Sequence, residues 1–188
     1  MSIVLSLTPF AVFFVLMRLH SPVAGFVAAF AVSAILCVHE RVSGRSVKIL
    51  EIGSLLLFGV LLAYTWLAGP AWTVATVRLA VDAGLLAIVL VSLAIGRPFT
   101  LQYARETVPE QFWGMPSFMT ANRAISWVWA GAFAALCAAD ALAEWVPAVP
   151  IWVDVAGSVL AFVVAVWFSR WYPRVVRRRA FAAAGMTA

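Results

Sequence analysis

Six apolar segments run through this sequence, and they constrain its fold more than any other feature. Each is 15 to 24 residues long, and they are Ile3–Met17, Pro22–Val38, Ile49–Leu67, Trp72–Ile95, Ala124–Ala143 and Ile151–Phe168. A bilayer core about 30 Å thick needs roughly 20 apolar residues in an α-helix. The segments therefore predict transmembrane helices, and they leave little of the 188-residue chain for a separate soluble domain.

The composition supports the same class of protein. The chain is 65% hydrophobic and 11% charged, whereas soluble domains are about 25% charged. The predicted fold is an all-α polytopic transmembrane bundle of six spans, forming one integral-membrane domain over residues 1–188. The first two segments are short and Pro9 interrupts the first of them, so a re-entrant pair with five spans is the alternative.

The scarce charges indicate the orientation. If all six segments span, eleven of the thirteen Lys and Arg residues fall on one face, and cytoplasmic loops carry such an excess. We therefore predict a multi-pass membrane protein with both termini in the cytoplasm. The basic tail, residues 173–188, is expected to attract anionic lipids through Arg177, Arg178 and Arg179. It is too short to form a nucleic-acid-binding surface.

Tryptophans support this topology. On the opposite face, Trp66 and Trp72 bracket one Pro-containing loop, and Trp145 and Trp152 bracket the other. The indole ring prefers the headgroup level of a bilayer, because its body is apolar and its N–H is polar. These loops are therefore expected on the non-cytoplasmic side of the membrane, at the level of the lipid headgroups.

The long connection after the fourth segment is predicted to be a cytoplasmic interfacial segment, residues 97–119. Gly96 and Pro98 are residues that end a helix. The stretch Thr107–Glu110 has capping-box spacing, which predicts a short helix that starts there and breaks at Gly114–Pro116. Its aromatic side chains either lie in the membrane surface or plug the mouth of the bundle as a plain loop.

Ionisable residues inside apolar segments are the best candidates for function, because each costs about 2.5–3.5 kcal/mol to insert. Arg78 and Asp82 are four residues apart and share one face of the fourth helix. The candidate polar intramembrane cluster in the outer half of the bundle consists of Arg18, Arg78, Asp82, Asp140, Glu144 and Asp154. It is either a structural ion-pair network or a site that binds a small polar solute or relays protons through Asp82.

Catalytic, metal and cofactor sites are not predicted. The chain has two His and two Cys, and they form no ligand cluster. None of the short motifs of hydrolases, nucleotide-binding proteins or metalloproteases occurs. Small residues in the spans serve packing within a chain or between copies, so a homo-oligomer stays open.

Short stretches in a recurring order point to a family. They read Thr8-Pro-Phe-Ala-Val-Phe-Phe14, Gly96-Arg97-Pro98-Phe99, Val108-Pro109-Glu-Gln-Phe-Trp113, Asn122 and Trp152-Val-Asp154. In this order the chain resembles the intracellular septation protein A family of small bacterial inner-membrane proteins. The likeness is most specific between residues 96 and 127. It implies a role in the cell envelope, linked to septation and to the division or wall-synthesis machinery, and it supplies no catalytic residues.

The function expected from these patterns is that of a non-enzymatic inner-membrane protein of envelope maintenance and septation. It would act through contacts with other membrane proteins, and the candidate docking residues are Arg97, Pro98, Phe112 and Trp113. The alternative is a small-solute or proton-coupled transporter or channel subunit that uses the polar intramembrane cluster.

The predicted orientation can be tested by cysteine labelling in intact cells, after Cys37 and Cys137 are replaced by Ser. We expect Ser46→Cys to react with a membrane-impermeant maleimide only after permeabilisation, because the loop around Arg45 is cytoplasmic. Ala71→Cys, in the opposite loop, should react without permeabilisation. Labelling of Ser46→Cys from outside would contradict the topology.

Overall fold

The computed structural model describes the backbone of residues 3–145 and 151–183 and the side chains of residues 5–145 and 156–178. Within these ranges the chain is helical and has no strand. The helices are α1 (Ile3–Ser6), α2 (Thr8–Leu19), α3 (Pro22–Val42), α4 (Ile49–Ala68), α5 (Val74–Ala94), α6 (Thr100–Thr107), α7 (Pro116–Trp145) and α8 (Ile151–Ala183), with a 3-10 turn at Glu110–Phe112.

Among the described residues, five helices are long and apolar enough to cross a membrane: α3, α4, α5, α7 and the Ala156–Arg178 part of α8. The predicted all-helical membrane class is thereby confirmed. Helix α2 is apolar but has only 12 residues, which is a rise of about 18 Å against a bilayer core of about 30 Å. The sixth span and the direction of the termini stay predictions.

Helices α7 and α8 extend furthest beyond the predicted apolar segments, and α3 continues past Val38 to Val42. Helix α7 starts at Pro116 rather than Ala124, since Pro is favoured in the first helical turn and the Asn122 side chain donates to the Phe118 carbonyl oxygen at 2.8 Å. Helix α8 continues past Phe168 to Ala183, because Arg and Ala are strong helix formers although they lower the hydropathy. Hydropathy alone therefore underestimates both helices.

The connection after α5 differs from the prediction at its start. Thr107 does not begin a helix but ends α6, where its Oγ1 donates to the Ala104 carbonyl oxygen at 3.1 Å. The short helix that was predicted is only the 3-10 turn Glu110–Phe112, and it ends before Gly114 as predicted. Helix α6 itself was not predicted, because its residues are mostly polar. The loop between Trp145 and Trp152 falls largely outside the described residues.

The chain divides into two compact units, Met1–Ile88 and Val89–Ala188. In the N-terminal unit, α2 packs on α3 and α3 packs on α4. Its core is aromatic, with Phe13, Phe26 and Phe58 fully buried. The Phe13 ring stacks on Phe26 with 5.4 Å between centroids and lies 5.7 Å from Phe58. These rings fasten α2 to the two long helices.

In the C-terminal unit, α7 packs along α8 and α6 packs on α7. Trp129 and Phe133 are buried, and the Phe162 ring lies edge-on to both, at 5.8 and 6.1 Å. The Trp129 indole N–H donates to Ser169 Oγ at 3.0 Å. A buried indole is therefore satisfied inside the apolar interface of two helices.

Gly25 is expected to be intolerant of a side chain, because α2 and α3 approach closely there. A Cβ at this position would lie 2.9 Å from Phe13 Cδ2 and 3.0 Å from the Phe13 carbonyl oxygen. We expect Gly25→Ala to destabilise the protein by about 1–3 kcal/mol through overpacking, measured by thermal unfolding in detergent.

Gly131 provides the matched control in α7, because a Cβ there has no neighbour within 4 Å. Both substitutions gain the same helix propensity, so the difference between them isolates packing. Equal stability of Gly25→Ala and Gly131→Ala would contradict the close approach of α2 and α3.

Candidate functional site

A buried group of charges lies where α3 ends and α4 begins, and it is called the charge cluster below. It consists of Glu40, Arg45, Lys48 and Glu51 with the hydroxyl of Ser6. The side chains of Glu40, Lys48 and Glu51 are almost completely buried. Lys48 Nζ lies 3.3 Å from Glu40 Oε2 and 3.9 Å from Glu51 Oε1. One ammonium group thus lies between two carboxylates.

The local backbone brings these side chains together. Helix α3 ends at Val42, and Gly44 has a positive φ of 70° that lets the chain turn back. The Arg45 amide donates to the Glu40 carbonyl oxygen at 3.0 Å. Glu51, three residues into α4, accepts the Lys48 amide at 3.1 Å through Oε2. Lys48 therefore occupies the N-cap position of α4, where its amide donates to the Glu51 carboxylate, while its side chain reaches back to α3.

Two more residues close the charge cluster. Ser6 Oγ donates to Glu51 Oε1 at 3.0 Å, which ties α1 to the start of α4. At the end of the charge cluster that faces the protein surface, Arg45 Nε lies 3.2 Å from Glu40 Oε2, and the Arg45 side chain is 45% exposed. The charge cluster consequently joins α1, α3 and α4 and meets the surface only at Arg45.

The charges balance, since two carboxylates face one ammonium and one guanidinium. Moving such ions out of water costs several kcal/mol each, so each needs its partners. Glu40 Oε2 contacts both cations, while Glu40 Oε1 is buried and accepts no hydrogen bond among the described residues. The charge cluster is therefore a network of ion pairs that holds α3 and α4 together. Glu40 Oε1 is the one carboxylate oxygen in it that can still accept a hydrogen bond.

This site was not predicted from the sequence, because Glu40, Arg45, Lys48 and Glu51 have the positions of loop charges that set the topology. One local signal was available. Lys48 and Glu51 have the spacing of a helix start with an acidic residue in its first turn, and Ser6 is a polar residue in an otherwise apolar segment. Nothing in the spacing indicated that Glu40 and Lys48 are buried.

The predicted polar intramembrane cluster is distributed over both units. Asp82 is buried in α5, Arg78 is half-buried one turn earlier, and Arg18 is exposed at the end of α2. In the C-terminal unit, Asp140 is buried and Glu144 is half-buried in α7. Arg78, Asp82, Asp140 and Glu144 all have polar or electrostatic partners. The side chain of Asp154 lies outside the described residues.

The predicted docking segment is held firmly on α7. Thr100 Oγ1 donates to the Asn122 carbonyl oxygen at 3.0 Å and lies 2.9 Å from Ser126 Oγ. The Phe99 amide donates to Ser92 Oγ at 3.2 Å, and the Phe99 ring lies edge-on to Trp129 at 6.4 Å. Helix α6 thus has buried anchors along one side.

The four predicted docking residues differ in exposure. Arg97 and Phe112 are exposed, whereas Pro98 is buried. Trp113 is half-buried, and its indole N–H donates to the Val108 carbonyl oxygen at 2.9 Å. The Arg105 guanidinium lies 5.0 Å from the Trp113 ring centroid, in a cation–π contact. Trp113 therefore stabilises the conformation of the segment. Met115 is exposed as well, and it was not among the predicted docking residues.

The first part of the basic tail belongs to helix α8. Arg177 and Arg178 are exposed on α8, and the side chain of Arg179 lies outside the described residues. Among the described side chains, no group of three or more His, Cys, Asp or Glu is arranged to hold a metal ion.

No protein-family model, characterised protein or solved structure matches the chain. The resemblance to the septation protein A family stays a prediction.

Removing the central cation of the charge cluster should be strongly destabilising. Lys48→Met leaves Glu40 and Glu51 buried without it, and we expect a loss of about 3–5 kcal/mol. Arg45→Gln removes a partly exposed partner and should cost at most about 1 kcal/mol. Thermal unfolding in detergent measures both.

A compensating variant tests whether the loss comes from uncompensated charge. Glu40→Gln combined with Lys48→Met removes one charge of each sign, so it should recover part of the stability lost in Lys48→Met. A Lys48→Met protein as stable as Arg45→Gln would show that the ion pairs of Lys48 do not stabilise the fold.

Proposed function

We propose that this chain is a non-enzymatic integral membrane protein that acts in bacterial cell-envelope maintenance and septation. It would do so by binding other membrane proteins. The observation that carries the proposal is the anchored segment 97–119. Its polar anchors are buried, and the apolar side chains of Phe112 and Met115 are exposed. The resemblance of residues 96–127 to the septation protein A family supports the same role.

The anchoring supports a docking role because it lowers the entropy lost on binding. Thr100 bonds to α7 at two points, and Trp113 is fixed by one hydrogen bond and one cation–π contact. A surface that is already ordered binds with less conformational penalty than a free loop. Segment 97–119 therefore has the preorganisation of a binding surface.

The exposed side chains support the same role. Phe112 is 39% exposed and Met115 is 42% exposed. Aromatic residues and Met are enriched in protein interfaces, and Met adapts its shape to a partner. Their sequence neighbours Arg105, Glu106 and Glu110 are exposed charges, which suit the polar rim of an interface.

The proposed topology has six spans, with α2 as the shortest, in one domain of the bacterial inner membrane. Both termini would face the cytoplasm, and segment 97–119 would be available to the division or wall-synthesis machinery on that side. The exposed Arg177 and Arg178, together with Arg179, would attract anionic lipids. Eleven positive charges on one face support this orientation.

A second candidate function is transport of a small solute or of protons. It is favoured by Asp82 and Asp140, which are buried inside long apolar helices. Both carboxylates have partners, however, as a structural ion pair also requires. Transport therefore ranks below docking.

The docking proposal is tested with Phe112→Ala combined with Met115→Ala. We expect bacterial two-hybrid signals with division proteins to fall by more than about tenfold, because anchor side chains often carry 2 kcal/mol or more of binding. A photo-crosslinking amino acid at position 112 should capture the same division protein.

The matched control is Trp66→Ala combined with Leu67→Ala, which removes exposed apolar side chains in the last turn of α4. This variant should keep the signals. Unchanged signals in the Phe112/Met115 variant would refute docking. Flux in proteoliposomes that disappears in Asp82→Asn would favour transport instead.

A further inference from the structure

Helix α8 carries a crevice that neither the charge cluster nor the docking segment uses. It is open to the surroundings, has a volume of about 580 Å³ and is lined by α8 side chains along one face of the helix between Phe162 and Arg174. Its apolar end is lined by Phe162, Val163 and Val166, and its polar end by Arg170 and Arg174. The crevice is therefore amphipathic along its length.

Two tryptophans follow the apolar end, with Trp167 before Arg170 and Trp171 between Arg170 and Arg174 along the helix. The rings of Trp167 and Trp171 stack at 5.2 Å with 10° between their planes. They are 56% and 42% exposed, so about half of each side chain is accessible to a ligand. Indole rings concentrate at the headgroup level of a bilayer. The pair thus indicates the depth at which the apolar part of α8 gives way to the membrane surface.

The two arginines of the crevice are one helical turn apart on the same face. Like charges at this spacing repel each other, and both side chains are exposed. The ion pairs of the described residues do not include Arg170 or Arg174. An anion bound between them would relieve the repulsion, and guanidinium groups match the geometry of a phosphate through paired hydrogen bonds.

We propose that this crevice is a binding site for an anionic phospholipid. The phosphate of its headgroup lies between Arg170 and Arg174, the glycerol region lies against the Trp167–Trp171 pair, and an acyl chain follows Phe162, Val163 and Val166. Along α8 the apolar side chains come first and the tryptophans and arginines follow together, as the acyl chains of a phospholipid are followed by its glycerol and phosphate groups.

Charge complementarity favours a lipid over a second copy of the chain. A symmetric dimer through this face would bring two identical patches together, with Arg170 and Arg174 of each copy near their equivalents. That arrangement places four guanidinium groups together at the membrane surface. An anionic phospholipid neutralises the same charges and fills the apolar end.

Native mass spectrometry of the full chain in neutral detergent tests the site, with phosphatidylglycerol and phosphatidylcholine as probes. The wild type should retain one phosphatidylglycerol in preference to phosphatidylcholine. Arg170→Gln combined with Arg174→Gln should lower this retention by more than about tenfold, since each membrane-proximal arginine contributes roughly fivefold. Arg41→Gln combined with Arg123→Gln makes the same charge change at exposed positions elsewhere and should leave retention unchanged.

Two further variants separate a built site from general attraction. Arg170→Lys combined with Arg174→Lys keeps the charge but loses paired hydrogen bonding, so retention should fall while thermal unfolding stays unchanged. Arg177→Gln combined with Arg178→Gln should lower retention less than the Arg170/Arg174 variant. Equal losses in those two glutamine variants, a wild type without headgroup preference, or a dimer that forms without lipid would overturn the proposal.

Discussion

A buried lysine between two buried carboxylates sets the arrangement of the N-terminal unit. Lys48 contacts Glu40 on α3 and Glu51 on α4, and Ser6 brings α1 to the same group. Removing any one of these charges from water without its partners is costly. The helices consequently have one register in which all the charges are paired, and the aromatic core of Phe13, Phe26 and Phe58 packs in that register.

The C-terminal unit uses neutral hydrogen bonds for the same purpose. Thr100 bonds to Asn122 and Ser126, and the Trp129 indole bonds to Ser169. A buried donor without an acceptor costs about 1–3 kcal/mol, so these pairs select one fit of α6 on α7 and of α7 on α8. The result is a cytoplasmic segment in the proposed topology with a fixed shape, which is the property that a docking surface requires.

The sequence predicted the long helices well, because twenty apolar residues are a signal that any lipid-facing helix carries. The starts and ends of α4 and α5 lie within two residues of the prediction. Helix α6 and the first turns of α7 were missed, since both are polar and depend on contacts with the rest of the unit. The charge cluster was not predicted, because the same apolar scale that finds spans treats Glu40 and Lys48 as loop residues.

By itself, the sequence determined that the chain is helical and built for a membrane, because helix periodicity and apolar length are properties of contiguous residues. It also identified which charges are rare enough to matter. Only the tertiary structure decided that Lys48 is buried and that the Trp113 ring lies against the Arg105 guanidinium. Burial of a side chain depends on which distant residues cover it, and spacing along the chain does not contain that information.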